Sequence, residues 1–122
     1  MKQEFVSYQL ALELKQLGFD EPCLAFYNGK FLDSTQYDFD NCSMKDIGQC
    51  LLAPTYSQAF RWFRDNHKHN GIVEGCKKYG FEWCIYPDIE YYIKPPNNFN
   101  TYEEAELACL TKLIEIVKAE KK

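Results

Sequence analysis

The sequence predicts an α+β fold, and three observations carry that prediction. Three helix-start signals recur along the chain, stretches rich in Tyr, Phe, Ile and Val lie between them, and tight-turn residues join those stretches. Strands linked by tight turns pair antiparallel, and the helices then cover one face of the sheet. The expected order is α-βββ-α-βββ-α, about six strands and three helices in a single globular domain spanning residues 1–122.

The helix starts share one chemistry. Ser7-Tyr8-Gln9-Leu10-Ala11, Thr55-Tyr56-Ser57-Gln58-Ala59 and Thr101-Tyr102-Glu103-Glu104-Ala105 each open on a hydroxyl able to accept from exposed backbone N–H groups. Gln58 and Glu104 stand three residues after their hydroxyls, the spacing of a reciprocal capping box. The segments between the three starts do not match, so they are shared capping chemistry rather than a repeat. The first helix is expected over 8–17, with Leu10, Leu14 and Leu17 as its buried stripe and Gly18 as its stop. The second is expected over 56–68, with Tyr56, Ala59, Phe60, Phe63 and His67 facing inward. The third is expected over 102–119, burying Leu107, Leu110, Leu113, Ile114, Ile116 and Val117. Its acids stand at the start and its lysines at the end, which suits the helix dipole.

The strand expectations are 23–27 and 30–32 around Asn28-Gly29, then 49–53, 72–76, 81–86 and 89–93. Asn-Gly between alternating apolar residues is the strongest short hairpin signal. Gly80 and Pro87-Asp88 separate the later strands, and Pro95-Pro96-Asn97-Asn98 breaks the chain before the last helix. The long loop 33–47 carries Tyr37 and Phe39 and suits either a lid or a contact surface.

Composition narrows the function classes. Hydrophobic residues make up 46% of the chain, enough for a core without staples, and aromatics reach 16%. The net charge of −4 argues against a general nucleic-acid binder, a class that is usually basic. The charge is uneven, however. Residues 55–80 hold Arg61, Arg64, Lys68, Lys77 and Lys78 against Asp65 and Glu74, a local +3. The opening residues lack the pattern of a signal peptide, and no stretch approaches a membrane span. Six cysteines without a C-x-x-C pair read as reduced thiols of a cytoplasmic protein, with Cys84 and Cys109 as small core residues.

The blocks Phe5-Val6-Ser7-Tyr8, Leu17-Gly18-Phe19-Asp20-Glu21-Pro22-Cys23, Ala53-Pro54 through Arg64 and Thr101-Tyr102 through Leu110 carry a resemblance. On them the chain resembles a family of small proteins encoded by phages and prophages of gut Bacteroidota. The blocks cover under half of the chain. The resemblance implies a setting and no mechanism: an accessory protein, of the kind that counters bacterial immunity, inside the bacterial host cell. Such proteins act by sequestering nucleotide signals or by gripping a host protein.

The candidate site is the outer face of the second helix. Arg61, Arg64 and Lys68 recur at i, i+3 and i+7, one stripe of a continuous helix, and Trp62 is expected off the core stripe beside them. Guanidinium groups grip phosphate oxygens through paired hydrogen bonds, and an aromatic plane stacks on a base. Lys77, Lys78 and Tyr79 would extend the patch. The bland alternative is a solvated helix face with Trp62 packed against a neighbour.

Chemistry beyond binding is not expected. His67-Lys68-His69 points its imidazoles apart on a helix and has Asp65 as the only carboxylate near in sequence, so no metal site is expected. Neither a Gly-x-Ser-x-Gly elbow nor a Gly-x-x-x-x-Gly-Lys loop occurs. Asp38, Asp40 and Asp46 are too loosely spaced for a calcium loop. The expectation is a binding protein without cofactor or catalysis, taking a nucleotide-type molecule or, as the alternative, a host protein. No heptad seam marks an oligomer.

Overall fold

The computed structural model describes residues 4–29, 31–34, 51–86 and 98–121. Its elements are α1 (Tyr8–Gln16), β1 (Ala25–Asn28), β2 (Phe31–Ser34), β3 (Leu51–Ala53), α2 (Tyr56–His67), β4 (Asn70–Cys76), β5 (Gly80–Tyr86) and α3 (Tyr102–Glu120). The fold is α+β, as expected. The sixth strand expected at 89–93 and the loop 35–47 lie outside the described residues. Contacts divide the chain into two compact units, Met1–Gln58 and Ala59–Lys122.

In the first unit, Ser7 caps α1 by accepting from the Leu10 N–H at 3.3 Å. Leu10, Leu14 and Leu17 are buried as one stripe, and Gly18 takes the left-handed φ of 102° that ends the helix. β1 pairs antiparallel with β2 on one side and β3 on the other. The hairpin forms where Asn28-Gly29 predicts it, one residue later in register. Asn28 is still paired, with Phe31, so Gly29 takes the first turn position at a φ of 65°. A glycine there fits the primed turns that match strand twist. Tyr27 crosses the core to donate from its hydroxyl to the Val6 carbonyl at 2.6 Å. Val6 in turn donates its N–H to the Pro54 carbonyl, tying the chain's start to the end of β3.

The start of α2 is capped by Thr55, which accepts from the Gln58 N–H at 3.1 Å. The Gln58 side chain does not return to close the capping box. Its Nε2 donates to the Pro22 carbonyl at 2.9 Å. The amide group is held by a tertiary acceptor through its nitrogen, where the box would have used its oxygen to accept from the Thr55 N–H.

In the second unit, β4 and β5 form an antiparallel hairpin against α3. The strands run Asn70↔Tyr86 to Cys76↔Gly80. Gly71 lets the pieces meet: a Cβ there would stand 3.0 Å from Cys109 Sγ, 3.1 Å from Leu113 Cδ1 and 3.2 Å from Phe60 Cδ1. Thr101 caps α3 by accepting from the Glu104 N–H at 3.1 Å. The buried arc of α3 is Ala105, Cys109, Leu110, Leu113, Ile114 and Val117. Leu107, expected inside, is 45% exposed. It points about 20° beyond Ile114, just outside the edge of that arc.

Candidate functional site

The cationic face of α2 exists in part. Arg61 and Arg64 are both exposed, three residues apart on one side of the helix. Lys68 is exposed but is not on the helix. α2 ends at His67, and Lys68 adopts φ 60°, the left-handed conformation that turns the chain away. The expected i, i+3, i+7 stripe therefore reduces to two arginines plus a lysine beyond the helix end. Arg64 Nε lies 3.7 Å from Asp65 Oδ1, with both side chains more than half exposed. Exposed pairs of this kind contribute little.

Trp62 is a correction. The indole is buried, 5% exposed, and belongs to the core rather than to the cationic surface. Its ring meets Phe63 edge-on at 5.0 Å and His67 at 4.8 Å. The buried arc of α2 is Ala59, Trp62 and Phe63, while Phe60 and His67 lie at its margin. The observed arc is rotated by about 60° from the expected one, and that rotation moves Trp62 from surface to core. The indole cannot stack on a base in this arrangement.

Tyr79 stands where expected for contact with solvent, 71% exposed at the tip of the β4–β5 hairpin. Lys78 Nζ lies 5.2 Å over its ring, and Asn98 Nδ2 donates to its carbonyl at 3.0 Å. Lys77 and Lys78 are exposed beside it. The hairpin carries this tip roughly 20 Å along β4 from the end of α2, at the usual rise per residue. Arg61 and Arg64 on the helix, and Tyr79 with its lysines on the tip, are thus two cationic places on separate elements.

Sequence reasoning weighed His69 only as a metal ligand beside His67 and missed its actual partner. His69 is buried, and its Nε2–H donates to the Glu120 carboxylate, 3.0 Å from Oε2 and 3.1 Å from Oε1. Its other nitrogen, Nδ1, is buried without a hydrogen-bond partner among the described residues. Glu120 lies 51 residues away, beyond the reach of any local pattern.

Cys84 and Cys109 are core residues, as expected. Cys23 is buried as well, Cys76 is exposed, and none of the four is in a disulfide. Burial, then the neighbouring Cys84 and Glu106, push the Cys109 thiol up to about 12, so it is not a nucleophile at neutral pH. Among the described residues no group of three His, Cys, Asp or Glu side chains is placed to hold a metal ion. No described helix is long and apolar enough to cross a membrane. A shallow hollow lined by Ala11, Lys15, Phe19, Leu51 and Leu52 encloses no water-sized space, too little for a small-molecule site.

Comparison with protein-family models, with curated proteins and with solved structures finds nothing similar to this chain.

Proposed function

We propose that this chain binds an anionic partner without catalysis, through the solvent face of α2. The observation that carries the reading is the pair Arg61 and Arg64, exposed three residues apart within the one segment of positive charge in a chain of net charge −4. Two guanidinium groups at that spacing suit a phosphate-bearing ligand, each offering paired donors. Lys68, exposed just past the helix end, adds to the local field.

A nucleotide-type signalling molecule is the ligand class we favour. In the setting implied by the family resemblance, a phage accessory protein in the host cytoplasm would withhold such a molecule from an immune pathway. Trp62 has no part in this reading, because its ring is in the core. Any base stacking falls to an exposed ring, of which Tyr79 is the most open among the described residues of the second unit.

Thermal shift and calorimetry against cyclic dinucleotides and ADP-ribose derivatives test the proposal. Binding is expected, and Arg61→Glu with Arg64→Glu is expected to abolish it while the melting transition remains cooperative. Absence of any shift across the panel, at ligand concentrations far above plausible affinity, removes the nucleotide reading. Affinity that survives the double charge reversal shows that the face is wrong. Recovery of intact ligand after heat release separates sequestration from turnover.

One observation favours a second reading, a module that inhibits a host protein. Ile72, Tyr79, Tyr86, Tyr102 and Leu107 of the second unit are each 39% exposed or more. Tyrosines on a surface commonly anchor protein partners. Capture from host lysate that is lost on Tyr79→Ala, with nucleotide binding absent, would favour this alternative.

A further inference from the structure

The corner where α2 gives way to β4 brings together groups that respond to protons. His67, the last residue of α2, lies half-buried with its ring 4.8 Å from Trp62 and 5.9 Å from Phe63. Lys68 then turns the chain through its left-handed conformation, and the His69 N–H reaches back to the Phe63 carbonyl at 3.3 Å. From α3, the final residue Glu120 supplies the carboxylate that holds the His69 Nε2–H. Lys121 follows as the C-cap, its N–H donating to the Val117 carbonyl at 3.1 Å.

Among the described residues the charged groups that act on His67 are Lys121 and Glu120 from the end of α3 and the His69 ring, and Glu120 is the one acid of the three. A proton on His67 places a cation beside Lys121 and gives Glu120 a second suitor. His69 has nothing to fall back on, since its Nδ1 is already buried without a partner among the described residues. An imidazole that loses its carboxylate there is left with two unsatisfied buried nitrogens, a costly state that the fold relieves by opening the corner.

We propose that this corner is a pH-sensitive latch: proton uptake by His67 draws Glu120 away from His69 and frees the last turn of α3 from the α2–β4 connection. The direction of titration agrees with it. Burial, and then Lys121, hold the His67 imidazole below its usual range, with Glu120 acting in the opposite sense. A histidine depressed on folding contributes stability that is complete above the unfolded imidazole range, near pH 6.5, and is lost as pH falls toward its folded value. The latch is closed at neutral pH and opens on acidification.

Nuclear magnetic resonance of the whole chain reads both halves of the device. The His67 and His69 ring signals are followed from about pH 8 to about pH 5, the range in which imidazoles titrate. Amide-exchange protection of residues 117–121, corrected for intrinsic exchange, is measured over the same range. Protection of that turn is expected to fall severalfold as His67 titrates. His67→Gln, which keeps a polar side chain but takes up no proton, is expected to hold the turn protected throughout. Glu120→Gln is expected to leave it poorly protected at both ends of the range. Unchanged protection of 117–121 while His67 titrates in the unmodified chain overturns the proposal, whatever the variants do. An equal acid-induced loss in His67→Gln overturns it as well.

Discussion

Glu74 and Glu82 stand directly opposite each other across the β4–β5 hairpin. Both carboxylates project from the same face of the ladder, because paired residues always do. Like charges in that position destabilise a sheet, and nothing in the local pattern of either strand announces the conflict.

Glu74→Lys converts the repulsion into a cross-strand ion pair. We expect it to stabilise the protein by about 0.5–1 kcal/mol, read as a higher urea midpoint at unchanged slope. The gain should shrink at molar salt, where exposed charges are screened. A salt-independent gain would mean that strand propensity and not charge was responsible.

Lys68 holds a conformation that suits glycine, at φ 60°. A side chain in the left-handed region costs roughly 1 kcal/mol relative to glycine. Lys68→Gly is therefore expected to raise the thermal midpoint, although it removes a cation from the proposed ligand face. Lys68→Ala should not share the stabilisation, since alanine keeps the Cβ that causes the strain. Equal effects of the two substitutions would place the cause in the lost charge.

Gly71 has no room for a methyl group, with Cys109 Sγ, Leu113 and Phe60 all within 3.2 Å of the Cβ position. Gly71→Ala is expected to cost about 1–3 kcal/mol, the usual penalty of overpacking. Cys109→Ala removes the nearest obstacle, so the double variant should be less destabilised than the sum of the singles. Additive losses in the equilibrium unfolding of the four chains would show that Leu113 and Phe60, and not the thiol, are the obstacle.

Glu106 sits partly buried near Glu103, and burial first, then that neighbour, raises its carboxyl above the ordinary range. The folded chain holds this proton more tightly than the unfolded chain does. The stability it contributes is complete below the unfolded value, and it is lost as pH rises through the folded one. Glu106→Gln should accordingly stabilise the protein at neutral pH, with the advantage disappearing below about pH 4. An advantage that persists in acid would point to packing instead.

The helices and hairpins were legible in the sequence because their signals act over a few residues. Ser7, Thr55 and Thr101 each accept from the backbone N–H three positions on, an interaction encoded wholly within one turn. Asn28-Gly29 and Gly80 mark their turns for the same reason. The candidate site was legible only in its exposed parts, Arg61, Arg64, Lys68 and Tyr79. Trp62 was misassigned because Tyr56, Ala59, Phe60, Trp62, Phe63 and His67 spread over about 160° of the helix with Trp62 at one edge, so narrower arcs with and without it fit equally well. Periodicity does not select among such arcs.

Capping hydroxyls, turn glycines, the α+β class and the positive segment around α2 were determined by the sequence alone, since each depends on neighbours along the chain. Tertiary structure alone decided that Trp62 turns inward, that Leu107 turns outward, that His69 meets Glu120 and that Glu74 meets Glu82. Each of those outcomes depends on which surface another element presents, and a one-dimensional pattern holds no record of what will pack against it.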